Sequence, residues 1–179
     1  MNTRLKGRVA GFVLLGAAFF ATNAYPSVAP GTALGSQNTV TFAATDGRMN
    51  AAQDAARRHL SRFLDHVLDG DGNARVDAAV KVALPAGEDQ EEIIWVTPFA
   101  RRDGGFIGAL ANDPQVVTEH TAGEVISFNR GQVRDWLFIG NDGKMYGSYT
   151  TRVILPELDP DHAAQIQAML SDGPTPNGW

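Results

Sequence analysis

The chain has 179 residues, of which 44% are hydrophobic and 20% charged. That length suits one hydrophobic core and is short for two, so we expect a single domain. The formal net charge is -5, and an acidic surface repels phosphate backbones and anionic lipid headgroups. We therefore expect no nucleic-acid partner. The absence of cysteine excludes a disulfide framework, a thiol nucleophile and a cysteine metal site.

Residues 1–24 have the pattern of a signal peptide. Three basic residues precede an apolar run from Val9 to Ala21, and small residues lead up to Ala24. The run is shorter than the roughly 20 residues that span a bilayer, so cleavage near Ala24 is favoured over an uncleaved anchor. We expect a periplasmic or secreted protein with no membrane association after cleavage. Cleavage removes three of the 15 basic residues and no acidic ones, leaving 12 against 20 and a net charge of -8.

The rest of the chain divides into a leader, one domain and a tail. Residues 25–45 are predicted to be a flexible leader, because the stretch to about Ser36 is rich in Pro, Ser, Ala and Gly. Residues 46–171 are predicted to form one α+β domain. Residues 172–179 contain Gly, Pro and Asn and are predicted to be a frayed tail.

The domain is predicted to begin with a long helix. Apolar residues recur at three- and four-residue spacing, at Ala56, Leu60, Phe63, Leu64 and Val67. Asn50 is the expected N-cap, and Gly70 and Gly72 are expected to end the helix.

Six short β-like runs follow the helix: Ala78 to Leu84, Glu92 to Phe99, Gly105 to Leu110, Glu124 to Asn129, Val133 to Ile139 and Lys144 to Leu155. Asp142-Gly143 suits a tight hairpin turn, so Val133–Ile139 and Lys144–Ile154 are predicted to pair antiparallel. Asp159-Pro160 is predicted to open a short C-terminal helix through Leu170. The fold class is therefore α+β, with an antiparallel-rich curved sheet of about five to six strands and the long helix packed on one face.

Metal and cofactor sites are weakly supported. The series Asp69, Asp71, Asn73 resembles the start of a calcium loop, but Ala74 and Val80 stand where such a loop needs Gly and Glu, which favours a polar connection. The four histidines lack the close spacing of a zinc motif. We expect no metal and no cofactor.

Catalytic motifs of nucleophilic enzymes do not occur in the sequence, including Gly-x-Ser-x-Gly, Ser-x-x-Lys and His-Glu-x-x-His. Glu91 and Glu92 are adjacent on a predicted strand, so their side chains are expected on opposite faces and not as an acid/base couple. Glu92 is expected to share a face with Ile94 and Val96, and Trp95 to share the other with Ile93.

The candidate site residues cluster mainly on the predicted hairpin. Pairing about Asp142-Gly143 is expected to bring Asp135 and Trp136 opposite the segment from Tyr149, with a diagonal contact from Asp135 to Arg152. This cluster is interpreted either as a sheet stabiliser or as the lining of a concave binding surface. The full set of candidate binding residues is Glu92, Trp95, Asp135, Trp136, Tyr149, Thr150 and Arg152.

Several short motifs occur in order between roughly Met49 and Leu170: Val80-Lys81-Val82, Glu92-x-x-Trp95-Val96, Phe106-x-Gly108, Asn112-x-Pro114, Gly123-Glu124-x-Ile126, Asp135-Trp136 and Gly147-x-Tyr149-Thr150-x-Arg152. In their order and spacing, these motifs resemble the YegJ-type family of bacterial domains of unknown function. The resemblance implies a compact domain without an assigned reaction.

Three functions remain open. The first is a non-enzymatic binding module for an extracytoplasmic protein or an envelope ligand, because no complete catalytic constellation is visible. The second is a small hydrolase in which Glu92 or Asp135 acts as general base and Arg152 holds an anion, beside Tyr149. The third is a structural or assembly module. The oligomeric state is not predicted.

Overall fold

The computed structural model describes residues 46–88 and 90–179. The predicted signal peptide and leader therefore lie outside the described residues. The long helix α1 spans Gly47–Val67 and buries the predicted apolar stripe. It begins one turn before Asn50, because the Asp46 carboxylate accepts hydrogen bonds from the amides of Arg48 and Met49 at 2.9 and 3.2 Å and caps the helix there.

Six strands form one antiparallel sheet, which confirms the predicted α+β fold. The strands are β1 (Ala78–Pro85), β2 (Glu91–Arg102), β3 (Gly105–Leu110), β4 (Val125–Phe128), β5 (Val133–Ile139) and β6 (Met145–Gly147). Their spatial order is β4-β3-β2-β1-β5-β6. Strand β1 therefore lies in the middle of the sheet, with β2 on one side and β5 on the other.

The predicted hairpin forms, but its second strand is much shorter than expected. β6 pairs with β5 over three residues only, and Tyr149–Ile154 forms helix α2 instead of continuing the strand. The chain leaves the sheet because Gly147 and Ser148 both have left-handed backbones, with φ of 75° and 54°. A run of Tyr, Thr, Val and Ile favours a strand locally, so the prediction failed where tertiary contacts override propensity.

Helices cover both faces of the sheet. On one face α1 packs its Phe63 ring on Trp136 of β5, with ring centroids 4.8 Å apart. The other face carries two smaller clusters, one around Ile154 of α2 and one around Ile166 of α3 (Pro160–Met169). Asp159 caps α3 as predicted, through the amides of Asp161 and His162.

The tail predicted to be frayed packs against the domain. The Trp179 ring stacks on Phe138 at a centroid distance of 5.7 Å, and the Gly147 amide donates to the Pro174 carbonyl oxygen at 2.7 Å. An aromatic ring packed against the core compensates the entropy that a Gly- and Pro-containing segment loses on ordering. Within the described residues, no helix has the length and hydropathy needed to cross a membrane.

Candidate functional site

The Asp135 carboxylate lies fully buried on β5 and caps helix α2. It accepts hydrogen bonds from the amides of Trp136, Tyr149 and Thr150 at 2.8 to 3.1 Å, and from the Thr150 hydroxyl at 2.6 Å. Ser148 precedes α2 but makes no side-chain cap, since its hydroxyl donates to the Met145 sulfur. The first amides of a helix have no acceptor within the helix, and Asp135 supplies that acceptor for α2 from a neighbouring strand.

Lys81 is the buried cation beside this carboxylate, and it was not among the sequence candidates. It lies opposite Asp135 and Trp95 in the sheet and is 1% exposed. Its ammonium donates to the Thr150 hydroxyl at 2.8 Å and lies 4.7 Å from the Trp95 ring centroid. Burial lowers the pKa of Lys81 to about 8, against the opposing pull of the Asp135 charge. Thr150 thus links the two charged groups by accepting from one and donating to the other.

Trp136 and Tyr149 face α1 on the opposite side of the sheet. The Trp136 indole donates to the Ala56 carbonyl oxygen at 2.9 Å, and the Tyr149 hydroxyl lies 2.9 Å from His59 Nδ1. Burial, followed by the Asp135 charge, raises the pKa of Tyr149 to about 12. Tyr149 therefore stays protonated at neutral pH and serves as a packing and hydrogen-bonding side chain.

Arg152 holds the tail in place and makes no hydrogen bond with Asp135. Its guanidinium donates to the carbonyl oxygens of Gly147, Ser171 and Gly173 and to the Ser171 hydroxyl, at 2.9 to 3.4 Å. The predicted Asp135–Arg152 diagonal contact is wrong, because it required a strand where α2 begins. Burial lowers the pKa of Arg152, although Asp135 acts in the opposite direction.

Glu92 lies on the α1 face of the sheet, away from Asp135. Its carboxylate is fully buried and accepts from three consecutive amides, those of Gln115, Val116 and Val117, at 2.6 to 2.9 Å. The adjacent Glu91 instead pairs with Arg134 at 2.6 Å. The expected separation of the two carboxylates is thus present, and Glu92 anchors the loop between β3 and β4.

The seven candidate residues consequently do not form one open site. Six of them are buried, and Arg152 is partly buried. Glu92 and Asp135 lie on opposite faces, so the Glu, Asp, Tyr and Arg side chains of the hydrolase hypothesis do not converge. A direct binding role for the seven stays a prediction, while the contacts above give each a role inside the fold.

The oxygen atoms of the loop at Asp69 already accept hydrogen bonds from groups within the protein. The Asp69 carboxylate accepts from the amides of Asp71 and Asn73 at 3.0 and 2.8 Å. Arg102 donates to the Asn73 side-chain oxygen at 2.6 Å and to the Asp71 carbonyl oxygen at 3.1 Å. These contacts make the segment a polar connection between α1 and β1. Hydrogen bonds from the Asn73 and Asp71 amides and a nearby Arg102 hold the pKa of Asp69 below its ordinary value.

Two open clefts flank Tyr146 where the β5–β6 hairpin meets the tail, and we call them the tail clefts. One has a volume of about 370 Å³, and its lining includes Lys144, Ser171, Asp172 and Asn177. The other has a volume of about 350 Å³, and its lining includes His66, Arg75, Phe138 and Trp179. Asp142 and Tyr146 line both.

Contacts with two neighbouring side chains fix the position of Tyr146 between the tail clefts. Its hydroxyl donates to Asp142 at 2.8 Å, and its ring stacks on Phe138 at a centroid distance of 5.4 Å. That hydrogen bond raises the pKa of Tyr146 and is a main cause, after the Lys144 amide, of the lowered pKa of Asp142. Sequence reasoning missed the clefts; the available signal was a Trp in an otherwise polar tail.

Comparison with known proteins identifies the chain by family. Residues 46–170 match the family model described as "Uncharacterized protein conserved in bacteria (DUF2314)". The chain belongs to this family. It is also similar to "Uncharacterized protein YegJ" of Escherichia coli (strain K12), with 27% identity over 158 residues, which cover 88% of this chain and 95% of that protein. The resemblance inferred from the motifs is thus confirmed. No solved structure matches the chain.

Proposed function

We propose that this protein is an exported, non-enzymatic binding module that takes its ligand in the tail clefts. The observation that carries the proposal is the contrast between two groups of polar residues. Lys81, Glu92 and Asp135 are sealed in the interior at 0 to 1% exposure, with protein partners for each. The clefts beside Tyr146 are instead open to solvent, and their linings combine aromatic rings with polar side chains that can orient a ligand.

A hydrolase mechanism is disfavoured because the candidate general bases are not accessible to a substrate. A general base must reach the proton that it removes, directly or through one water. Each carboxylate oxygen of Glu92 and Asp135 already accepts from amides or a hydroxyl inside the fold. The raised pKa of Tyr149, about 12, also keeps that hydroxyl protonated. The arrangement therefore supports binding better than acid/base chemistry.

Export is the second part of the proposal, and it is supported by the basic and apolar pattern of residues 1–24. Mass spectrometry of the protein accumulated in bacterial cells tests it. A mature N-terminus at Tyr25 and recovery from the periplasm or the medium are expected. Full-length protein in the cytoplasm would contradict export and leave the binding proposal standing.

Binding is tested by NMR on the protein in the form in which cells accumulate it. Neutral sugars, short peptides, nucleotides and organic acids are added in turn, and amide shifts are mapped. One of these four classes of compound should change the amide chemical shifts of residues 140–147 and 171–179. The Tyr146→Ala substitution should abolish those changes.

The matched control is Glu119→Gln, which changes an exposed residue in the β3–β4 loop at the other edge of the sheet. It should respond like the wild type. The absence of any cleft shift with all four classes, or shifts that persist in a folded Tyr146→Ala protein, would overturn the proposal. Concentration-dependent self-association without ligand would favour the assembly module instead.

A further inference from the structure

We infer that the tail clefts bind a neutral carbohydrate of two linked sugar rings. The inference rests on the proposed binding function and adds the chemical class of the ligand. Four properties of the clefts support it: the engaged cations, the remaining polar groups, the aromatic rings in the linings, and two volumes that share lining residues.

The cations that line the clefts are already engaged by the protein. Arg75 donates to the Asp77 carboxylate at 2.6 Å, and Lys144 donates to the Ala168 carbonyl oxygen at 2.7 Å. Asp142 and Asp172 contribute two exposed carboxylates. A phosphate or carboxylate ligand would meet these negative charges while Arg75 is already paired and the Lys144 ammonium already donates to a carbonyl oxygen, so the clefts disfavour anionic ligands.

The polar groups that remain suit hydroxyl groups. Carboxylates are acceptors only, and side-chain amides and hydroxyls both donate and accept. Asp172, Thr175 and Asn177 of the tail line the larger cleft together with Tyr146 and Lys144 of the hairpin. A ligand with several hydroxyl donors matches such a lining, whereas a purely apolar ligand would leave these polar groups without partners.

Aromatic rings supply the complementary surface. Phe138 stacks with both Trp179 and Tyr146, at interplanar angles of 24° and 14°. Aromatic faces carry partial negative charge and attract the weakly positive C–H groups on the flat side of a sugar ring. Trp179 and Tyr146 are both partly exposed, so each can offer surface to a ligand.

The volumes of the two clefts indicate the size of the ligand. Volumes of about 370 and 350 Å³ each lie at the lower end of the roughly 300–1,000 Å³ typical of small-molecule sites. The clefts share Tyr146 and Asp142 as a common wall. Two linked rings, one in each cleft and with the linkage beside Tyr146, use both volumes. A single ring uses one.

Calorimetry and NMR with defined sugars test the inference. The probes are cellobiose and diacetylchitobiose, with glucose as the single-ring comparison and glucose 1-phosphate as the charged comparison. At least one disaccharide should bind about tenfold or more tightly than glucose, a difference of about 1.4 kcal/mol. Glucose 1-phosphate should bind no better than glucose.

Three variants separate the contributions. Tyr146→Ala should weaken disaccharide binding by about tenfold or more, and Asp172→Asn should weaken it several-fold while retaining the shape of an exposed side chain. Glu119→Gln, at the other edge of the sheet, should bind as well as the wild type. Thermal unfolding of each variant shows whether it is folded, and Asp172→Asn is expected to be unaffected.

The outcomes distinguish this inference from the proposed function. If no disaccharide shifts the cleft amides while peptides or another solute class does, the carbohydrate inference fails and the binding function stands. If no solute of any class shifts them, both fail. Equal binding of a disaccharide by the wild type and by folded Asp172→Asn and Tyr146→Ala proteins would also overturn the inference.

Discussion

Asp135 and Thr150 are joined twice: one carboxylate oxygen of Asp135 accepts from both the Thr150 amide, at 2.8 Å, and the Thr150 hydroxyl, at 2.6 Å. The first residue lies on β5 and the second in the first turn of α2. The pair thus connects the sheet to the helix that replaces the predicted end of β6. Lys81 completes the group by donating to the same hydroxyl.

Asp135→Ala should destabilise the protein by about 3–5 kcal/mol, because it removes the cap of α2 and leaves the buried Lys81 without a compensating charge. Urea denaturation at neutral pH measures the change. Asp142→Ala is the comparison, since that carboxylate is exposed, and it should cost much less than Asp135→Ala. A loss of stability below 1 kcal/mol for Asp135→Ala would show that the carboxylate does not stabilise α2.

Lys81 should make the protein more stable as the pH rises above 8. Its pKa in the folded state is about 8, below its ordinary value of 10.5, so the folded chain binds fewer protons than the unfolded chain between these values. The free energy of unfolding contributed by this group therefore increases with pH in that window, by about 2 kcal/mol from pH 8 to pH 10.

Denaturation of Lys81→Met across the same pH range tests this linkage. The free energy of unfolding of Lys81→Met should not increase above pH 8. Lys144→Met, which changes an exposed lysine, should retain the increase. Identical pH profiles for the wild type and Lys81→Met would contradict the assigned pKa, whatever the absolute stability of the variant.

Glu92→Ala should release the β3–β4 loop. Three amides lose their shared acceptor, and we expect a loss of about 3 kcal/mol together with faster hydrogen exchange at residues 115–117. Glu91→Gln is a matched neighbour: its salt bridge with Arg134 is partly exposed, so its removal should cost less than about 1 kcal/mol. Unchanged exchange at the three amides of Glu92→Ala would rule out the anchoring role.

Gly147→Ala should prevent proper folding, or cost more than about 3 kcal/mol, because an added Cβ would overlap the Trp136 carbonyl oxygen. Gly143→Ala has nearly the same backbone, with φ of 73° against 75°, but open space around its Cβ position. It should cost only about 1 kcal/mol of left-handed strain. Similar melting temperatures for the two variants would contradict the steric explanation.

The parts of the fold that could be predicted from sequence are those with a local cause. The stripe from Ala56 to Val67 predicts α1, the Asp142-Gly143 turn predicts the hairpin, and Asp159-Pro160 predicts the start of α3. Alternation along β2 also places Glu92 and Trp95 on opposite faces. Each of these signals depends on residues within a few positions of one another.

The parts that could not be predicted depend on residues far apart in the chain. The end of β6 depends on an Asp135 cap and on the close approach of Gly147 to Trp136. Lys81 has no local pattern that reveals a buried ammonium, because its partners Thr150 and Trp95 come from α2 and β2. The same holds for the tail clefts, whose linings combine residues of the β5–β6 hairpin with residues of the tail.

The sequence by itself determined the α+β class, the order of most elements and the membership of the family, since periodicity, turn chemistry and short motifs are properties of the chain. Only the tertiary structure decided which polar residues are interior supports and which surfaces are open. The physical reason is desolvation: whether a charged side chain is buried with partners or free to bind depends on what packs over it, and in this protein α2 and the tail do so.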